Sequence, residues 1–343
     1  MTYSAESVWS GRAPAAGRPI PWAVTLFSLV LAWPLAQADE VQGSQDMKRL
    51  LELMIEAQRT LNYSGTFVYL RDNHLDALSV SHQVRGDQEL ERLVSLSGVA
   101  REVRRDQRGL TCVLPDIGAV AVAARAQEPP PWPTADLEVE ELTSSYQLHA
   151  LGHSRVAGRP ARVGGVVPKD LLRYGHRFYL DEETSLPLKI DLMDEQARPI
   201  EQIMFTSLEL RDPASAAEPV DSPPTEGFRK LLRAPPQVRP MAESSDWRFE
   251  QLPPGFRLRL HNRWTDPDGK QMEHLILGDG LASLSLYLEP SVADGLQGGA
   301  HLGAVNAWGK QIAGYQVTAV GEVPAATVRQ VVEGLHNLSA ERP

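Results

Sequence analysis

The chain has 343 residues, a formal net charge of −10, 42% hydrophobic and 23% charged residues. That is a globular composition long enough for two domains. The acidic balance excludes a nucleic-acid binder, which needs a basic stripe, but leaves room for a local basic patch.

Residues 1–38 read as a secretory leader. Arg12 and Arg18 precede an apolar run from Trp22 to Ala32, and Ala36-Gln37-Ala38 is a small-residue cleavage site. The run is short for a bilayer span. The lone Cys112 lies far from the cleavage site, which excludes a lipoprotein, and one cysteine excludes an internal disulfide framework. Cys112 alternates with Leu110 and Leu114 and is expected to be a small buried hydrophobe.

An amphipathic helix follows. Ser44 is its expected cap, Met47, Leu50, Leu51, Met54 and Leu61 form one stripe, and Asn62 and Gly65 end it. Thr66–Leu70 is expected to be a strand apolar on both faces. Turns then recur at Asp72-Asn73, Gly86-Asp87, Ser97-Gly98 and Arg108-Gly109, the rhythm of an antiparallel meander. Glu128–Pro133 is a proline loop. A second β section covers Tyr146–Leu210, with turns at Ala157–Pro160 and Asp181–Thr184 and strict alternation of Leu186, Leu188, Ile190 and Leu192. Asp212–Asp246 is a proline-rich linker with a short helical piece expected at Phe228–Arg233. The second domain begins near Trp247, with strands at Phe256–Trp264, Met272–Leu277, Leu281–Leu288 and Tyr315–Val320 and hairpin turns at Asp268-Gly269, Asp279-Gly280 and Ala313-Gly314. Pro324 opens a closing helix that presents Val328, Val331, Val332, Leu335 and Leu338.

No catalytic signature holds. Phosphate-loop, nucleophile-elbow and zincin motifs are missing from the sequence. His149 and His153 are four apart but fall on a strand, and the acidic turn Asp181-Glu182-Glu183 reads as a solvated hairpin. The chain is therefore expected to be neither an enzyme nor a cofactor or metal carrier. Arg101, Arg104, Arg105 and Arg108 form a basic cluster, and Arg257, Arg259 and Arg263, with Trp264 beside them, are expected to share one strand face as a partner-binding ladder. Phe67, Tyr69, Leu78, Val80, Leu188 and Ile190 are the candidate contacts for an amphiphile on an apolar sheet face.

The segments Asn62–Tyr69, Glu91–Gly98, Arg101–Val103, Thr111–Asp116, Arg177–Asp181, Phe205–Leu210, Leu252–Phe256, Asp279–Ser283 and Gly321–Val328, taken in order, resemble the MucB/RseB family of periplasmic sigma-factor regulators. Extra glycines at Gly164-Gly165 and Gly295–Gly303 depart from the family's hairpin pattern. The resemblance implies an α+β, mostly β fold. Its large antiparallel open half-barrel, similar to LolA and LolB, is plugged by helices, and a smaller α/β C-terminal domain follows. The expected division is a leader over 1–38, a large domain over 39–211, a linker over 212–246, a partner-binding domain over 247–338 and a tail over 339–343. The implied partner is the periplasmic domain of a MucA/RseA-like anti-sigma factor, shielded from site-one proteolysis and released on binding lipopolysaccharide or a similar amphiphile. Homo-oligomerisation is also implied. The alternative reading is a periplasmic lipid or lipoprotein carrier.

Overall fold

The structure is a computed structural model that describes residues 32–107, 109–123, 137, 139–212, 226–232, 247–265, 269–291 and 294–337. The basic leader residues, the Glu128–Pro133 loop, most of the linker, Asp268, Leu338 and the tail lie outside the described residues. Residues Gln42–Pro343 are a compact unit of their own, and apart from the start of the first helix all that follows concerns them.

Helix α1 spans Ala32–Thr60. It runs through Ser44 without a break, so Ser44 is not its cap. No proline interrupts the segment between Leu35 and Thr60, and a single interior glycine, Gly43, costs a helix only about 1 kcal/mol. The first meander follows as β1 Asn62–Arg71, β2 His74–Arg85, β3 Gln88–Ser95, β4 Glu102–Asp106, β5 Gly109–Leu114 and β6 Ala119–Ala123. Helix α2, Val139–Ser145, leads into β7 Tyr146–Val156, β8 Arg159–Pro168, β9 Gly175–Asp181, β10 Pro187–Met193 and β11 Pro199–Arg211. Asp72 and Asn73 both adopt left-handed φ, 47° and 61°, the backbone that a two-residue hairpin turn requires. Ala157 and Gly158 make the same device at the β7–β8 turn, with φ of 48° and 77°.

These strands form one open antiparallel sheet in which β1 pairs with β11, so the two meanders meet along a shared seam. A further strand, β12 Arg229–Leu232, lies parallel to β6 and completes a sheet of twelve. The helical piece expected at Phe228–Arg233 is therefore a strand. The reason is the β6 edge, whose unpaired backbone groups gain partners when this segment lies alongside.

The stripe of α1 packs on the inner face of the sheet. Met47, Leu51 and Met54 are fully buried and join Tyr63, Phe67, Val80, Phe178, Leu180, Ile190 and Phe205 in one core, with Leu142 of α2 beside them. Gly164 permits this approach, because a Cβ there would overlap the Met47 sulfur. The expectation that Thr66–Leu70 is apolar and covered on both faces is corrected: Phe67 is buried, while Val68 and Leu70 are only half-buried. The Thr66 hydroxyl bonds Thr206 Oγ1 at 2.7 Å and Ser207 Oγ at 2.8 Å, which gives the outer side a polar seam. Cys112 is half-buried rather than buried, although it shares a strand face with the buried Leu110.

The C-terminal part contains β13 Trp247–Phe249, β14 Arg257–Thr265, β15 Gln271–Gly278, β16 Ser283–Pro290, β17 Gly298–Leu302, β18 Val305–Ile312, β19 Tyr315–Gly321, α3 Ala325–Glu333 and β20 Leu335–Asn337. Six of these strands form a separate, smaller sheet in the order β14-β15-β16-β19-β18-β17, and β13 pairs with β20. Helix α3 buries Val328, Val331 and Val332 against Leu275, Leu286 and Val317. The closing helix is shorter than the apolar stripe suggests. Gly334 ends it, its N–H bonding Gln330 O at 3.0 Å, and Leu335 belongs to β20 instead. The β17–β18 hairpin was hidden in the sequence by its glycines. Gly309 is required there because any Cβ would collide with the Leu296 carbonyl.

Candidate functional site at the junction of the lobes

Five of the six candidate amphiphile contacts share the inner face of the large sheet. Phe67, Val80 and Ile190 are 4%, 3% and 4% exposed, and Tyr69 and Leu78 are half-buried. Leu188 is the exception. A bulge in β10 skips it between the pairs Pro187–Leu180 and Lys189–Tyr179. The extra residue reverses the side-chain parity. Leu188 thus packs with Val156 and Ala161, against Tyr179 and Met204, on the opposite side from Ile190. The apolar face is filled by α1 and α2, so in this structure it is core. A shallow cavity of about 180 Å³ lies elsewhere, at the β8–β9 connection, lined by Leu151, Val167, Leu171 and Met193 among others. None of the six candidates lines it.

The expected arginine ladder is also broken by a bulge. In β14 the register slips between Leu258 and Leu260, which places Arg259 at the bulge itself. Arg263 then pairs with Glu273, on the side of Leu275 and Leu277, while Arg257 and Trp264 face the other way. Arg263 forms an ion pair with Glu273 at 2.9 Å, and the same carboxylate reaches His261 at 2.6 Å. Arg257 pairs with Glu141 of α2, and Arg259 lies 3.9 Å from it. Trp264 is 42% exposed. The Arg101–Arg108 cluster is partly spent on cross-strand pairs: Arg104 and Arg92 hold buried Glu102 at 2.5 and 2.8 Å, and Arg105 faces Glu91 at 3.5 Å.

The acidic turn is tied internally. Asp181 accepts from Arg159 at 2.5 Å and from the Thr184 N–H and hydroxyl at 3.0 Å each. Burial alone would raise its pKa, but these donors lower it below the usual carboxylate range. His153 meets Glu182 at 2.6 Å, and no group of three or more candidate ligands capable of holding a metal occurs among the described residues. His176 is 5% exposed, stacks on Phe178 at 5.8 Å, and is pushed down to about 4 by loss of hydration. A base whose folded pKa lies below its unfolded value withdraws stability as pH falls from about 6.5 towards 4.

The most highly built polar site is one the sequence did not reveal. Arg173, between β8 and β9, has a side chain with no solvent exposure and pairs across the junction with Asp279, which is itself 2% exposed. Its guanidinium also holds Asp170 through two bonds of 3.1 Å and donates to the Pro254 carbonyl at 2.5 Å. It lies 5.4 Å from the Tyr146 ring centroid and 5.1 Å from that of Phe256. Asp279 accepts the Tyr146 hydroxyl at 2.9 Å, and its other oxygen caps the Leu281 and Ala282 N–H groups at 3.0 and 2.8 Å. Leu281 inserts into the core of the large lobe. Thr327 of α3 donates to the Leu172 carbonyl at 2.6 Å, and Asn306 donates to the Tyr174 hydroxyl at 3.1 Å. Asp279 was visible only as part of a turn. Nothing near Arg173 in the sequence signals a partner 106 residues away.

The class defined by these features is a two-lobed β protein, with an open helix-plugged sheet docked through a buried ion pair onto a smaller sheet. Family models for the MucB/RseB N-terminal domain and the MucB/RseB C-terminal domain match residues 46–224 and 241–336. This chain belongs to the MucB/RseB family. It is similar to the sigma factor AlgU regulatory protein MucB of Pseudomonas aeruginosa, 33% identical over 314 residues covering 89% of this chain and 94% of that protein. The sigma-E factor regulatory protein RseB of Haemophilus influenzae is 26% identical, with 92% and 98% covered. Among solved structures, the complex of Pseudomonas aeruginosa MucA/MucB aligns with a TM-score of 0.66 at 30% identity, over 85% of this chain and 99% of that one. A structure of MucB aligns with a TM-score of 0.59 at 31% identity, over 86% and 99%.

Proposed function

We propose that this chain is a periplasmic negative regulator. It binds the periplasmic segment of a membrane anti-sigma factor, shields it from site-one proteolysis, and lets go when lipopolysaccharide or a similar amphiphile binds. The carrying observation is the end-to-end likeness to MucB, including MucB solved together with MucA(peri). The likeness is closer to that complex, at a TM-score of 0.66, than to the structure of MucB at 0.59, over nearly equal shares of this chain. This supports reading the docked lobes as the arrangement that holds the partner. In this reading residues 1–38 are removed on export, residues 39–211 hold the amphiphile and residues 247–338 hold the partner.

The filled inner face supplies the coupling. Acyl chains can reach Phe67, Val80 and Ile190 only if α1 or α2 lifts. The amphiphile therefore binds a rearranged form better than the docked one, as a releasing ligand must. A coupling of roughly 1–3 kcal/mol, a five- to 150-fold change in partner affinity, is typical of such linkage. Arg257 and Trp264, on one face of β14, remain the candidate partner contacts, with Arg259 at the bulge and Arg263 turned towards Glu273. The test is a cleavage assay. The anti-sigma segment, incubated with its site-one protease, is expected to be cut more slowly when the purified protein is present and at the original rate when lipopolysaccharide is added. Equal cleavage with and without the protein would remove the shielding role.

A further inference from the structure

A second group of ionisable side chains spans the junction, away from Arg173. Glu201 of β11 is 5% exposed. Its Oε2 accepts the Tyr69 hydroxyl, while its Oε1 is buried and has no donor among the described residues. Across the junction, Gly303 of the β17–β18 turn comes up against Glu201 Oε1, and β18 pairs with β19 through Asn306 and Gly321, which sets the Glu322 carboxyl beside Glu201. Glu322 is exposed as a residue, so its proton exchanges freely with solvent, and only its carboxyl end, turned to Glu201, lies in the junction. Two carboxylates in contact are stable only when one is protonated, and a proton on Glu322 supplies the donor that Glu201 Oε1 lacks.

The surrounding elements leave the pair short of positive charge. From the β1–β2 hairpin come Tyr69, Arg71 and Asp72, the last two packed against Gly303 of the β17–β18 turn. Arg71 is the cation that acts on Glu322. From the β8–β9 segment comes Tyr174, which itself feels Glu195, Asp194 and Glu322. The Arg329 guanidinium of α3 is turned to Glu333 at 2.9 Å and to the Trp308 ring. Burial, followed by the Glu201 charge and hydrogen bond, raises Glu322 from 4.5 to about 7.

We propose that Glu201 and Glu322 form a proton-operated catch between the lobes, closed while they share one proton and sprung when that proton leaves. The docked state binds this proton more tightly than the separated state, where Glu322 titrates near its ordinary value. Docking therefore weakens as pH rises from about 4.5 through about 7 and levels off above, by up to tenfold per pH unit inside that window. Its regulatory meaning rests on the anti-sigma reading: an alkaline shift loosens the form that holds the partner.

The test is energy transfer between dyes on the two lobes of the full chain. The dyes sit at Asp87→Cys and Lys310→Cys, both exposed positions, in a Cys112→Ser background. Transfer is expected to fall as pH rises from about 5 to about 8. In Glu322→Gln, whose amide always offers a donor, it is expected to stay high throughout, and Glu201→Gln is expected to flatten the curve in the same way. His176, whose titration has the opposite sign, is present in every variant and cancels in the comparison. Coincident curves for the parent and Glu322→Gln, or a flat parent curve, would overturn the catch. Binding of the anti-sigma segment to the same labelled protein at acid pH separates the two ideas. Intact binding with a flat transfer curve removes the catch alone, and a pH-dependent transfer without binding at any pH removes the regulator reading alone.

Discussion

Replacing Arg173 by alanine is expected to destabilise the protein by about 3–5 kcal/mol and to separate the lobes, because it strands a buried carboxylate. Asp279 would keep only the Tyr146 hydroxyl and two backbone donors, with no charge to balance it. Burial holds the Tyr146 phenol well above its usual range, so it stays neutral and offers the carboxylate only its hydrogen bond. The guanidinium also bridges Asp170 and the Pro254 carbonyl, so its loss cuts the link between the β8–β9 segment and the approach to β14 at once. Urea unfolding monitored by the two lobes separately gives the readout. Two transitions in the variant are expected where the parent shows one. The double change Arg173→Met with Asp279→Leu removes both charges and is expected to lose less than the single variant, since no unpaired charge remains. A loss below about 1 kcal/mol in Arg173→Ala, the level of an exposed pair, would show that this contact does not hold the lobes together.

Ile190→Asp is expected to cost several kcal/mol, about 4 or more, and to unfold the large lobe. Ile190 pairs with Phe178 and Ile203 in the sheet and belongs to the apolar core that α1 covers, where an aspartate would be a buried charge. Leu188 provides the control. It is fully buried, but in the small cluster on the other side of the sheet. Leu188→Ala and Ile190→Ala should each lose about 2–5 kcal/mol, as large-to-small core changes do. Only Ile190→Ala is expected to alter amphiphile affinity. Equal effects of the two alanine variants on amphiphile binding, measured by calorimetry, would show that the inner face is not where the amphiphile goes.

Hairpins were legible because left-handed turns demand particular residues: Asp72-Asn73, Gly86, Gly98, Gly158 and Gly314 all adopt positive φ where a turn was expected. The stripe of α1 was legible because Met47, Leu51 and Met54 recur at helical spacing, and each is fully buried. Side-chain facing failed at Leu188 and Arg259, both at bulges. One extra residue reverses parity for everything beyond it, and neither bulge carries a residue that announces it. The site fared worse. The Arg173–Asp279 pair and the contact of Glu201 with Glu322 join residues more than a hundred positions apart, and nothing local in a sequence marks such a pairing. Strand β12 was missed for the same reason, because its partner is the edge of β6 rather than a neighbour in the chain.

In the proposed function one molecule holds an anti-sigma segment and surrenders it to an amphiphile. The most direct measurement is a titration of the purified protein against the periplasmic segment of the anti-sigma factor from the same genome, with and without lipopolysaccharide. Saturable one-to-one binding is expected, weakening five- to 150-fold, roughly 1–3 kcal/mol, when lipopolysaccharide is present. Binding that lipopolysaccharide leaves unchanged would contradict the release mechanism, and no binding at all would contradict the regulator itself.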